Sequence, residues 1–368
     1  MKGFVVKRIL FLIANLGSGG AERQIITITR LLKQRGYEVE LVCYDKTGTF
    51  YAPLLYEDGI YVHWVVSKNY LSRIIKIRNF IRNGNYDVVI SFLDTPNFLN
   101  CIAATGGKTW KVITSERSAK ETFFKSLRGR IFKWFQRYSD HIVCNSDNAK
   151  NMYLKYHPKY SKKLLVIRNT VQLPKIDSRY EPKKYGKLYI IIAASYQPLK
   201  NPLGLIEALT LLNKQEKSKI KIDWYGQKSI TGDTQVYDLA KRLVEENHLE
   251  DVINLNEEIT TIADKMDEAD VVALFSRVEG LPNVICEGMT IGKPIIMTRV
   301  SDYSALVDEN NGFLCDWDNP ESIKNALVTA SNLSFEQLKK MGDISKQKAE
   351  ELFSQKIILD QWASAIEQ

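Results

Sequence analysis

The chain has 368 residues, 45% apolar and 26% charged, enough for two domains with full cores. No apolar run approaches the roughly 18–20 residues of a membrane span. The five cysteines are far apart without C-x-x-C spacing, which excludes a disulfide framework and predicts buried free thiols in a reducing compartment. His63, His141, His157 and His248 form no cluster, so no metal site and no cofactor are expected. The net charge of +8 is unevenly placed: residues 1–174 are strongly basic and residues 175–368 are net acidic. That asymmetry points to an anionic partner for the first half.

Lys7 to Leu16 has the basic-then-apolar look of a signal peptide. The run is short, and a first buried strand at Ile9–Ile13 accounts for it better. A helix follows over Ala21–Arg35, ended by Gly36. Val39–Cys43 reads as a strand, Tyr70–Ile81 as a helix and Val88–Phe92 as a strand. Val112–Thr114 and Ile142–Cys144 are further short strands. The pattern breaks around Arg168–Tyr185. It resumes with strand Leu188–Ala193, helix Gly204–Leu212, strand Ile220–Trp224, helix Gln235–Asn247 and a buried strand in Ala269–Phe275. Alternation of this kind predicts an α/β protein: two doubly wound, Rossmann-like domains facing a central cleft. The boundaries are 1–172 for the first domain, 173–186 for a linker and 187–353 for the second. A last amphipathic helix over about 354–368 carries Ile357, Ile358, Leu359, Trp362 and Ile366.

Gly17, Gly19 and Gly20, with Glu22 and Arg23, follow the first strand and open a helix. Glycines there bring backbone N–H groups close to an anion. Gly17 and Gly19 fit the start of a dinucleotide fingerprint, but Glu22 occupies the third glycine's place. A purely structural tight turn is the other reading. Glu116 and Arg117 follow a first-domain strand. They are candidates for acceptor contact, or belong to a helix start capped by Ser115 or Ser118. The run Thr122–Arg137 interleaves aromatics with five basic residues and no acid. It reads as a basic amphipathic helix able to lie in an anionic membrane interface, and Leu71–Arg82 repeats the theme. The rival reading makes Phe124, Leu127, Ile131 and Phe135 a core face. A nucleic-acid partner is not expected.

In the second domain, Ser195, Lys200 and Asn201 follow the first strand. Further on, Glu279, Gly280, Leu281, Pro282 and Asn283 lead from the Ala269–Phe275 strand into a helix, with Pro282 at the first helical position. Glu287 stands about one turn into that helix. A helix start suits a phosphate, and two carboxylates flanking it can take sugar hydroxyls, the layout of a nucleotide-sugar. On residue type alone, both glutamates could equally be solvated helix-end side chains.

Residues 269–315, through Gly292-Lys293-Pro294 and Asn311-Gly312, resemble the donor-site signature of the retaining glycosyltransferases of family 4, which have the GT-B fold. Gly19 to Arg23 resembles the loop common at the start of these enzymes, facing donor phosphate and acceptor. The resemblance covers nearly the whole chain and implies a metal-independent hexosyl or N-acetylhexosaminyl transfer from a nucleoside-diphosphate sugar, with UDP as carrier. By resemblance, Glu287 holds the ribose and Glu279 meets the sugar, while Lys200 neutralises the departing diphosphate. The family's final helix crosses back onto the first domain. Ser195 stands where the family has an Arg, which weakens the case for full diphosphate binding. The family's first-domain His is absent as well.

The basic first domain suggests a lipid-diphosphate-linked glycan acceptor, as in capsule or O-antigen assembly, at the inner face of a bacterial cell membrane. Three other readings stand beside this one. A sugar-nucleotide epimerase of similar fold would bind the same donor. An NAD-dependent oxidoreductase would rest on Gly17 and Gly19 alone. A non-catalytic sugar-nucleotide-binding subunit is kept open by Ser195.

Overall fold

A computed structural model describes residues 6–17, 19–117, 120–171, 173, 183, 186–229 and 232–368. Two wholly parallel sheets organise them. The first contains β1 (Arg8–Ile13), β2 (Glu38–Cys43), β3 (Tyr61–Trp64), β4 (Val88–Phe92), β5 (Lys111–Glu116), β6 (His141–Cys144) and β7 (Leu164–Val166), in the order β3-β2-β1-β4-β5-β6-β7. The second contains β8 (Leu188–Ala193), β9 (Ile220–Tyr225), β10 (Ile253–Asn256), β11 (Val271–Leu274), β12 (Ile295–Thr298) and β13 (Gly312–Cys315), in the order β10-β9-β8-β11-β12-β13. The molecule is therefore a two-domain α/β protein with the doubly wound topology of the GT-B fold. Its compact units are the described residues up to Thr170 together with Gln355–Gln368, and Val171–Ser354. Most of the stretch read as a linker, 173–186, lies outside the described residues; Leu173, Lys183 and Gly186 are the exceptions.

The central strands are continuous apolar runs because helices cover both faces of each sheet. Ile9 to Ile13 are fully buried, as are Ile190 to Ile192. In the first unit, β1 pairs Ile9 with Val39 on one side and with Val88 on the other. In the second, β8 pairs Ile190 with Ile222 and with Val271. Gly36 ends the first long helix in the left-handed region at φ 100°. There Gly36 N donates to Lys33 O and Tyr37 N to Leu32 O, satisfying carbonyls left free at the helix end. All five cysteines are buried and free.

The run Thr122–Arg137 is not one helix. Glu121–Lys125 and Leu127–Phe135 are separate, because Ser126 caps the second by accepting from Gly129 N. A Cβ on Gly129 would lie 1.8 Å from Phe123 O, so the turn closes only on glycine. The core-face reading holds only in part. Phe124 and Phe132 are core, whereas Leu127 and Ile131 are exposed, and Lys133 is buried. Ser115 lies within β5 and caps no helix; Ser118 is outside the described residues.

The final helix, Gln355–Glu367, packs in the core of the first unit through Ile358, Trp362, Ala365 and Ile366. The Trp362 ring stacks on Phe92 at 5.9 Å and is fully buried. Truncating a buried Trp leaves a large cavity. Trp362→Ala should lower stability by about 3–5 kcal/mol, measured by urea denaturation.

Candidate functional site

In a doubly wound sheet, ligands bind beyond the carboxyl ends of the strands where the strand order reverses. In the second sheet that point lies between β8 and β11. Crossovers leave these two neighbours in opposite directions, so their loops part. Ser195, Lys200 and Asn201 leave β8, and Glu279 to Asn283 leave β11. The fold therefore brings together residues some eighty positions apart in the chain.

The loop after β8 is pinned by its neighbours. Ala194 N donates to Tyr225 O at 2.9 Å, Tyr196 N to Gln227 O at 2.9 Å and Trp224 Nε1 to Ala194 O at 2.6 Å. A Cβ on Gly226 would fall 1.9 Å from Ala194 O, so only glycine permits this approach. Ser195 Oγ accepts from Gln197 Nε2 at 3.0 Å. A single 3-10 turn, Pro198–Lys200, then presents Lys200. Asn201 is left-handed (φ 62°, ψ 42°), a conformation Asn tolerates better than most residues. Its Nδ2 donates to Trp317 O at 2.8 Å.

The loop after β11 is held from below. Thr298 Oγ1 donates to Ser276 O at 2.6 Å, Ser301 Oγ donates to Gly280 O, and Leu281 is buried. Two bonds tie this loop to the β8 loop: Arg277 N donates to Leu199 O at 2.8 Å, and Lys200 Nζ meets Glu279 Oε1 at 2.5 Å. That ion pair is largely shielded, with side chains 22% and 12% exposed. The helix begins at Asn283 rather than Pro282. Pro282 is the N-cap, and its carbonyl accepts from Ile285 N and Cys286 N. A proline N–H is needed at neither position, so the sequence alone leaves this one-residue choice open.

Glu287, one turn in, is only 7% exposed. On the same helix, a Cβ on Gly288 would meet Val272 at 2.8 Å, so glycine lets the helix lie close on β11. Glu279 is paired and Glu287 is buried, so neither is a solvated helix-end side chain. Arg277, whose guanidinium stacks 4.3 Å from the Trp317 ring centre, completes the rim. No local pattern signals that contact, since Trp317 arrives from after β13.

In the first unit, Gly19 is the N-cap of helix Gly20–Gln34 and Arg23 N donates to Gly19 O. The Glu22 carboxylate folds back over Gly19, 2.2 Å from where a Cβ would be. Burial raises its pKa. Gly17 N donates to Asn15 Oδ1 at 3.0 Å. Among the described residues, Gly17, Gly19 and Gly20 all keep negative or ordinary φ. Space at Gly19, filled by Glu22, accounts for glycine there. Glu116 is buried, with both oxygens engaged: Oε2 with Lys133, and Oε1 with Asn97 and Gln136. The Arg117 guanidinium stacks 4.0 Å from the Phe92 ring centre and donates to Asn169 Oδ1 at 2.7 Å.

Residues 175–348 match the family model for glycosyl transferases group 1, and residues 18–174 match that for glycosyltransferase family 4. A Campylobacter jejuni relative is 26% identical over 88% of this chain and 89% of its own length. It is a GalNAc-alpha-(1->4)-GalNAc-alpha-(1->3)-diNAcBac-PP-undecaprenol alpha-1,4-N-acetyl-D-galactosaminyltransferase. The Escherichia coli UDP-Gal:alpha-D-GlcNAc-diphosphoundecaprenol alpha-1,3-galactosyltransferase is 22% identical over 85% of both chains. Among solved structures, Anabaena Alr3699/HepE in complex with UDP and glucose superposes with a TM-score of 0.86 at 18% identity, over 98% of this chain and 100% of that one.

The shielding of the Lys200–Glu279 pair sets its energetic coupling above that of an exposed pair. In a double-mutant cycle of Lys200→Met and Glu279→Gln, urea denaturation should give a coupling of about 1–2 kcal/mol. Additive losses would mean that the two side chains do not hold each other.

Proposed function

The chain belongs to the family 4 glycosyltransferases, and from that premise we propose that it moves a hexosyl or N-acetylhexosaminyl group from a UDP-sugar, with retention, to a lipid-diphosphate-linked glycan of a bacterial surface polysaccharide. The observation that carries this reading is the shielded Lys200–Glu279 pair at the switch point of the second sheet, with Glu287 buried on the helix that follows. A diphosphate would compete with Glu279 for the Lys200 ammonium. The N–H groups of Gly280, Leu281 and Asn283 and the positive end of helix Asn283–Thr290 would meet the same charge; Pro282 has no N–H to give. Glu287 would take the ribose hydroxyls. Glu279, released from Lys200, would accept from a hydroxyl of the sugar. These donors are fixed before the charge develops, which is how such sites lower a barrier.

In this scheme the acceptor hydroxyl oxygen attacks C1 from the face that the diphosphate leaves. The C1–oxygen bond to phosphate breaks, and the hydroxyl proton passes to the departing phosphate oxygen. No protein nucleophile takes part. Lys200 and the backbone N–H groups carry the charge, so the scheme calls on no metal. Ser195 supplies a hydroxyl where an Arg would supply charge, which predicts modest diphosphate affinity. The names of the relatives, which act on diphosphoundecaprenol-linked sugars, support the acceptor class.

An anionic lipid surface suits the first unit, as does a peripheral position at the inner face of the membrane. Among the described residues no helix is long and apolar enough to cross a membrane. Leu127, Ile131 and Trp134 are exposed and recur on one face of their helix, with Leu127 at 74%. Leu71 and Ile75 are exposed on helix Tyr70–Asn83. Both helices border the same core cluster, which includes Ile77, Ile81 and Phe135. Arg73, Lys76, Arg128, Arg130 and Arg137 surround these apolar side chains in sequence, and each such charge adds about 1 kcal/mol near an anionic leaflet.

Two measurements test the reading. In a thermal-shift panel of UDP-, GDP-, ADP- and dTDP-sugars, a UDP-sugar should raise the Tm most. Glu287→Ala should abolish that rise and Lys200→Ala weaken it; unchanged shifts in both variants would mean that the pocket is elsewhere. In flotation, the protein should rise with phosphatidylglycerol vesicles and not with phosphatidylcholine. Replacing Leu127, Ile131 and Trp134 with Ser should cut the floating fraction severalfold. Failure to float with either lipid would count against the membrane contact.

A further inference from the structure

The first sheet has its own switch point, between β1 and β4. The chain leaves β4 through Leu93, whose φ of 77° and ψ of 163° lie in a region almost reserved for glycine. Such a conformation is strained, and strain of this kind concentrates at functional positions. Its effect is to set Asp94 at the mouth of the sheet, at the start of helix Asp94–Ala103.

Behind Asp94 lies a buried lysine. Lys133 is 1% exposed and is bracketed by the rings of Phe123, Phe124 and Tyr153, at 5.2–5.5 Å from their centres. Its Nζ donates to Asp94 Oδ1 at 2.9 Å and to Glu116 Oε2. A single carboxylate would balance this ammonium, and Glu116 does so from within. The other oxygen of Glu116 is taken by Asn97 Nδ2 at 3.1 Å and by Gln136 Nε2, whose own Oε1 accepts from Tyr153 OH at 2.6 Å. Asp94 is the outer carboxylate, and the Arg128 guanidinium, which donates to Thr95 Oγ1, also acts on its charge. Its side chain is 37% exposed. The lysine fixes one oxygen and leaves the other without a hydrogen bond among the described residues.

We infer that Asp94 is a specificity-determining residue of the transferase, accepting a hydrogen bond from a hydroxyl of the acceptor's terminal sugar. The inference rests on the transferase reading above. An ionised carboxylate is an acceptor only. It can accept from a sugar hydroxyl, whereas an ionised phosphate offers it no donor, so it addresses the glycan part of the acceptor and not its diphosphate. Glu116, whose oxygens are filled, contributes by holding Lys133. Arg117 is directed to Phe92 and Asn169.

Asp94→Asn tests this with little change of shape. Lys133 can only donate, so it keeps the amide oxygen and the NH2 turns outward. The ligand-facing group changes from acceptor to donor. The probes are the methyl α-glycosides of N-acetylgalactosamine, N-acetylglucosamine and galactose, titrated against the full chain with UDP present and followed by saturation-transfer NMR. At least one should bind the wild-type protein, and Asp94→Asn should weaken it about tenfold or more, as expected for a hydrogen bond to a charged group. Asp94→Ala should weaken it likewise. The Tm rise given by UDP should persist in both variants, which shows that the fold and the nucleotide site survive; a failure of the donor site would instead appear as loss of that rise in the wild-type protein. Equal glycoside binding by the wild-type and both variants, or no binding of any of the three by the wild-type protein, would overturn the assignment.

Discussion

Two loops that part at a switch point are held together by an ion pair and a backbone bond, and the proposed donor site depends on the ion pair. Lys200 leaves β8 and Glu279 leaves β11, and their side chains meet with most of the surrounding water removed. A lysine with no partner there would be free to swing on its four-carbon stem. A glutamate with no partner would carry the cost of partial burial uncompensated. Held against each other, the two remain ordered, charged and close to a helix start. In the proposed scheme each changes partner, the lysine for a phosphate and the carboxylate for a hydroxyl. The backbone bond from Arg277 N to Leu199 O fixes the same two loops independently of charge.

The first domain uses related parts differently. Its lysine is sealed among aromatic rings and cannot leave, while its two carboxylates differ in exposure. Glu116 is internal and fully bonded; Asp94 faces outward with one oxygen fixed. In the second domain the cation is the group proposed to change partner, which would suit an anionic leaving group. In the first it is the carboxylate that faces out, which suits a neutral sugar. The same topology thus supports opposite polarities at two switch points.

Much of this was legible in the sequence. Ile9–Ile13, Val88–Phe92 and Leu188–Ala193 are β-rich apolar runs, and a strand buried on both faces has to look like that. Gly36 ended its helix where a left-handed residue was needed. Glu279 and Glu287 stood out through the loop between them, although their residue types alone did not separate buried from solvated side chains. What remained hidden depends on distant partners. Lys133 looked like one more cation on a basic helix, because Asp94 and Glu116 lie 39 and 17 residues away in the chain. Asp94 itself carried no motif. The break at Ser126 was masked by continuous aromatic and basic residues, although a serine three residues before Gly129 was a capping signal.

Hydrogen exchange read by mass spectrometry with and without a UDP-sugar tests the central claim most directly. The account predicts slowed exchange in two stretches, around 194–201 and 276–290, where a diphosphate would draw on Lys200, the loop N–H groups and the helix start. Protection confined to other parts of the chain, or none in either stretch at saturating ligand, would contradict it.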